Sequence, residues 1–206
     1  MLYELLILVT LMRGPAHGYR IAKIINDMIG PYAALSHGRL YPLLARLEQQ
    51  GLIQVEQSGS GQQGDRQTRV YRITEAGRER FHQLMMNTTA NLGEYREIFA
   101  HKVAGFEFLT PTERLHLIEH YIGYCQEHIK YIYQEAEDLL QKASEIEGLR
   151  NSKQLENILN VMYHWIEHWK LELRWAKQLR EGVLQHLAQE EAAATAGPEP
   201  QAAPDN

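Results

Sequence analysis

The amino-acid sequence predicts a mainly α-helical protein with one small β-hairpin. Three features carry that expectation: apolar residues at helical spacing over residues 2–47, two β-rich runs around a glycine-rich stretch between residues 52 and 73, and two long apolar seams beyond residue 110.

The chain has 206 residues, 44% of them hydrophobic, enough for one large core or two modest ones. Its only cysteine, Cys125, excludes an intrachain disulfide and a thiolate zinc finger, and fits a reducing, cytoplasmic setting. The apolar opening Leu2, Leu5, Leu6, Ile7, Leu8, Val9 and Leu11 has no basic residue before it and no small-residue cleavage site after it. It is shorter than the ~20 residues of a membrane span, so it reads as a buried first helix, and no membrane partner is expected. The formal net charge of −5 is unevenly divided, with +3 over residues 1–85 and −8 over 86–206. Attraction to phosphate depends on local basic groups rather than on the sum, so the N-terminal part is the end suited to DNA.

Arg13-Gly14-Pro15 marks a turn after the first helix, and Tyr19, Ile21, Ala22, Ile24, Ile25 and Met28 outline a second one, stopped by Gly30-Pro31. Ser36 suits the N-cap of a third, whose Leu40, Leu43, Leu44 and Leu47 share a face and which Gly51 closes. Residues 52–57 and 68–73 read as strands joined by a long tip over 58–67 that holds Gly59, Gly61 and Gly64. Thr74 caps a further helix. The order helix, helix, turn, helix, hairpin is that of a winged helix-turn-helix, with the hairpin as the wing.

On a helical wheel the third helix turns Gly38, Pro42, Ala45 and Gln49 away from its leucines. Arg39 and Arg46 flank this slim strip on one side and Tyr41 on the other. Such a face lets the backbone sit deep in a major groove while the arginines reach phosphates or a guanine edge. Pro42 breaks a local rule, because it removes a helical hydrogen bond and presses on the carbonyl of Gly38; an ordinary surface kink is the alternative reading. Arg66, Arg69 and Arg72 lie on or beside the wing. The candidate DNA-contacting set is therefore Tyr19, Ser36, His37, Gly38, Arg39, Tyr41, Pro42, Arg46, Arg66, Arg69 and Arg72.

Thr110-Pro111-Thr112-Glu113 combines a capping box with proline at the first helical position. Ile118, Ile122, Cys125, Ile129, Ile132, Ala136 and Leu139 then alternate steps of four and three, a period of about 3.5. A second seam runs through Leu155, Leu159, Met162, Ile166, Trp169, Leu173 and Ala176, with Gly148 to Ser152 as the turn of a long antiparallel helical hairpin. Helices over about 111–147 and 153–188 are each ~55 Å long at 1.5 Å per residue, too long to be covered by this chain, so a second copy is the expected partner; a hairpin packed only on itself is the alternative. Candidate interface and effector residues are Ile118, Ile122, Ile129, Ile132, Met162, Trp165, Ile166, Trp169 and Leu173. Tyr131, Tyr163 and Trp175 are further candidates for lining an effector cavity, or else packing residues. The expected organisation is a DNA-binding domain over 1–87, a connecting helical segment over 88–109, a helical dimerisation domain over 110–188 and a disordered tail over 189–206.

Gly14-Pro15-Ala16-His17-Gly18-Tyr19-Arg20-Ile21, Leu35-Ser36-His37-Gly38-Arg39-Leu40-Tyr41-Pro42-Leu43-Leu44, Arg46-Leu47-Glu48, Gly51-Leu52-Ile53 and Tyr71-Arg72-Ile73-Thr74-Glu75-Ala76-Gly77 together resemble the PadR family of bacterial transcriptional regulators. The resemblance covers roughly residues 1–85, and the hairpin after Thr110 is similar to the C-terminal domain of longer PadR-like proteins. It implies operator binding as a homodimer, usually repression, and release by a small, often aromatic effector. Ser36, Gly38, Tyr41 and Pro42 match the family's recognition-helix pattern, whereas His37 and Arg39 stand where less basic residues are common.

Two other readings stay open. His116-Leu117-Ile118-Glu119-His120 and His164-Trp165-Ile166-Glu167-His168 both spell H-x-x-E-H, a zinc-chelating spacing that allows a metal-responsive regulator; a chain with ten histidines and two long amphipathic helices also produces such pairs readily. A winged helix can also bind protein instead of DNA. No catalytic residue, resident metal or cofactor is expected.

Overall fold

The computed structural model describes residues 1–30, 35–56, 69–145 and 152–195. Pro31, the wing tip with Arg66, most of the turn after Gly148 and the end of the tail lie outside the described residues. Residues 1–110 and 111–206 form two separate compact units.

The first unit is built on α1 (Leu2–Met12), whose residues Leu5 to Leu11 are all buried. Around it lie α2 (Gly18–Ile29), α3 (His37–Gln49) and α4 (Glu75–Met86). Strands β2 (Ile53–Glu56) and β3 (Val70–Ile73) make the hairpin, pairing Ile53 with Ile73 and Glu56 with Val70. A two-residue strand that the sequence pattern did not announce, β1 (Ala16–His17), adds to the other side of β3, giving an antiparallel sheet in the order β1-β3-β2.

Local chemistry sets the ends of these elements. Past α3, Gly51 takes φ 71, and the amides of Leu52 and Gly51 donate to the carbonyls of Leu47 and Glu48. This double bond is the Schellman stop that a glycine at that position supplies. Thr74 caps α4 by accepting from the Gly77 amide at 3.1 Å, and its own hydroxyl donates to the Gly51 carbonyl at 2.6 Å.

The connecting segment of residues 88–109 is part of this first unit. Its α5 (Tyr95–Val103) buries Tyr95, Ile98, Phe99 and Lys102. The Lys102 ammonium donates to the Asn87 carbonyl at the end of α4 and lies 5.7 Å from the Tyr95 ring centroid. Arg13, just past α1, donates to the Ala104 carbonyl at 2.6 Å and pairs with Glu107 at 2.8 Å. Segment and helices are thus fastened from both sides.

The second unit is an antiparallel hairpin of α6 (Pro111–Glu145) and α7 (Lys153–Thr195). It buries Ile118, Tyr121, Ile122 and Cys125 of α6 with Ile166, Trp169 and Ala176 of α7. The Tyr121 hydroxyl donates to Glu172 at 2.7 Å. Helix α7 runs on to Thr195, past the end expected at 188, because Gln189, Glu190, Glu191 and the alanines after them are strong helix formers. Residues 189–195 are therefore helix where tail was expected.

Candidate nucleic-acid interface

Helix α3 buries Leu40, Leu44 and Leu47 against the first unit and leaves Leu43 half-buried. Ser36, His37, Gly38, Arg39, Tyr41, Pro42, Ala45, Arg46 and Gln49 are all exposed. The slim strip thus faces solvent, with Pro42 inside an unbroken helix. Its start is aimed by Asn26 of α2, whose side-chain oxygen accepts from the Leu35 amide at 2.6 Å while its nitrogen donates to the Leu35 carbonyl at 3.4 Å. One side chain therefore ties the last turn of α2 to the residue just before the N-cap of α3.

Ser36 occupies the N-cap position, but its hydroxyl makes no capping bond. His17 likewise stands at the N-cap of α2 without a side-chain cap, and neither helix has an acidic residue in its first turn. Helix α4 is the contrast, with the Thr74 cap and Glu75 in its first turn. Uncapped amides at the positive end of a helix dipole attract anions, and the starts of α2 and α3 are both of this kind. The start of α2 touches α3 one turn in from its own start: a β-carbon on Gly18 would lie 3.1 Å from Cε1 of Tyr41.

Aromatic rings line this junction. His37 stacks on Tyr41 with centroids 6.0 Å apart, and His17 stacks on the exposed Tyr19 at 5.6 Å. Nδ1 of His17 is buried without a hydrogen-bond partner among the described residues. The Arg39 guanidinium lies over the ring of Tyr3 in α1, 5.3 Å from its centroid. In the wing, Arg72 pairs with Glu56 at 2.6 Å across the hairpin, both groups exposed. Arg69 hydrogen-bonds the Tyr71 hydroxyl, which burial holds above the usual phenol range although that bond pulls the other way. Arg66 falls outside the described residues.

In the second unit, Ile118, Ile122, Ile166 and Trp169 are buried within the chain itself, and Ile129, Ile132, Met162 and Leu173 are half-buried. The stripes read from the heptad spacing therefore cover each other in the hairpin, while Trp165 remains 49% exposed. His128 stacks flat on Trp169 with centroids 4.2 Å apart, and Tyr124 meets the same indole edge-on at 5.5 Å. In the H-x-x-E-H segments, Glu119 pairs with Arg180 and Glu167 with Lys170. Among the described residues no three metal-ligating side chains come together.

Sequence reasoning found the exposed face of α3 and missed its supports, Asn26, Gly18 and Tyr3. Each touches α3 from another element, so no spacing rule within one helix reveals it.

A helix-turn-helix with a hairpin wing and an outward-facing recognition helix is the build of a DNA-binding transcriptional regulator. The family model described as "Transcriptional regulator PadR-like family" matches residues 7–83, so this stretch of the first unit is PadR-like. A transcriptional regulator from Clostridium thermocellum is 31% identical, over 39% of this chain and 75% of its own, with a TM-score of 0.34. Bacillus subtilis PadR in complex with operator DNA is 19% identical, over 87% of this chain and 98% of its own, with a TM-score of 0.39. The same B. subtilis protein in complex with p-coumaric acid is 18% identical, over 88% of this chain and 95% of its own, at 0.37. No curated protein matches the chain. No helix among the described residues is long and apolar enough to cross a membrane.

Proposed function

We propose that this chain is a cytoplasmic repressor without catalytic activity, which binds an inverted-repeat operator as a homodimer and is released by a small aromatic molecule. One observation carries the DNA reading: α3, which like α2 starts without a side-chain cap, exposes a slim strip of Gly38, Pro42, Ala45 and Gln49. The strip enters the major groove, and the amides after His17 and Ser36 take phosphates on either side of it. Arg46 and the wing arginines Arg66, Arg69 and Arg72 add cationic contacts, with Tyr19, His37 and Tyr41 at the rim.

The homodimer is supported by large apolar side chains left exposed on the hairpin, including Ile158, Val161, Trp165 and Leu171. A surface of that kind is normally covered by a partner, and a second copy supplies it symmetrically. The two recognition helices then address half-sites ~34 Å apart. The effector reading is supported by the aromatic content of the hairpin, where Tyr124, His128 and Trp169 pack on one another and Tyr163 and Trp165 are left exposed.

Selection of bound duplexes from a random pool, followed by footprinting, tests this. A dyad-symmetric footprint is expected, and protection without a dyad contradicts the homodimer. Tryptophan fluorescence against planar aromatic acids tests the effector: saturable quenching is expected, and its absence removes that part.

A further inference from the structure

We infer that Tyr3 is a positioning residue for DNA binding, whose ring holds the Arg39 guanidinium beside α3 at the wall of the groove, where it meets a phosphate and not a base edge. The inference rests on the reading that α3 enters DNA. Arg39 is exposed and sits on the flank of α3, off the strip that faces the bases. Its guanidinium carbon lies 5.3 Å from the Tyr3 ring centroid, within the range of a cation–π contact. Tyr3 is half-buried on α1, the most deeply buried helix of the first unit, so the ring is a fixed platform. A free arginine loses much rotamer freedom when it meets a ligand, and a platform that orders it beforehand removes part of that loss. The platform also selects the target. A guanidinium resting on a neighbouring helix lies to the side of α3, where the sugar-phosphate strand passes, and sequence reading is left to residues on the strip.

The test combines a direct probe with a double-mutant cycle. In NMR spectra of the free protein, the Arg39 δ-methylene protons shift upfield in wild type and in Tyr3→Phe and return to ordinary values in Tyr3→Leu. The dissociation constant for a mixed-sequence duplex rises roughly two- to five-fold in Tyr3→Leu, the scale of an exposed cation–π contact, and stays near wild type in Tyr3→Phe. In an Arg39→Ala background, Tyr3→Leu adds nothing. Arg39→Ala itself weakens random and selected duplexes by the same factor and lowers the salt slope by about one.

An absent ring-current shift overturns the inference whatever the affinities, as does an equal loss from Tyr3→Leu with and without Arg39. Loss confined to the selected duplex in Arg39→Ala makes that residue a base reader and overturns the phosphate assignment. Should wild type bind no duplex while the upfield shift is present, the DNA reading fails although the Tyr3 contact is real, and the inference falls with it.

Discussion

The phenol of Tyr41 rests on the bare α-carbon of Gly18, so close that an added β-carbon would come to 3.1 Å from the ring and 3.3 Å from the hydroxyl. The first residue of α2 is thereby a seat for a side chain of α3. Gly18→Ala must push the ring by a few tenths of an ångström, while the helix itself gains from replacing glycine. We expect thermal stability to hold or rise slightly while DNA affinity falls roughly three- to ten-fold, the ~1 kcal/mol scale of a lost polar contact. A parallel loss of stability and binding contradicts this.

Burial lowers the Lys102 pKa from 10.5 to about 8. Below pH 8 the ammonium is charged in both folded and unfolded chains, and its burial costs stability. Between about 8 and 10.5 the unfolded chain binds more protons, so the contribution of this group to stability rises with pH. Melting temperatures measured from about pH 7 to 10 should climb, relative to Lys102→Met, through that window. A flat difference between the two proteins places the Lys102 pKa at its ordinary value.

Trp165 and Trp169 are four residues apart on α7, yet one is 49% exposed and the other 9%. Trp169→Ala removes the platform under His128 and Tyr124 and should destabilise the protein by about 3 kcal/mol or more in chemical denaturation. Trp165→Glu should leave the helical content intact and weaken self-association in sedimentation. Unchanged association moves the dimer face elsewhere on the hairpin.

Burial, with the Glu172 carboxylate nearby, pushes the Cys125 thiol up to about 12. The native protein should therefore be inert to a thiol-specific disulfide reagent at pH 8 and react fully once denatured. Rapid native labelling implies that the hairpin opens around Tyr121 and Glu172.

The parts legible in the sequence were those set by local chemistry. The spacing of Leu40, Leu44 and Leu47 dictates which side of α3 is buried, Gly51 supplies the left-handed stop, and Thr74 caps α4. Strand β1 was hidden because two residues carry no alternating pattern. The burial of α5 was hidden because Lys102 interrupts its apolar spacing, and the Asn87 carbonyl and the Tyr95 ring make that lysine tolerable inside. The heptad seams foretold that Ile118, Ile122, Ile166 and Trp169 need cover, but periodicity does not say whether the cover is the same chain or another. Ser36 was legible as a position and not as a bond, since its hydroxyl stays free of the amides it stands before.

The most direct measurement is fluorescence anisotropy of a labelled duplex titrated with the intact 206-residue chain at several salt concentrations. If α3 and the two uncapped helix starts grip phosphates, log affinity should fall linearly with log salt, losing orders of magnitude between about 50 and 200 mM, and Arg46→Ala should make the slope shallower. Affinity indifferent to salt, or no binding at the lowest salt, would contradict the account.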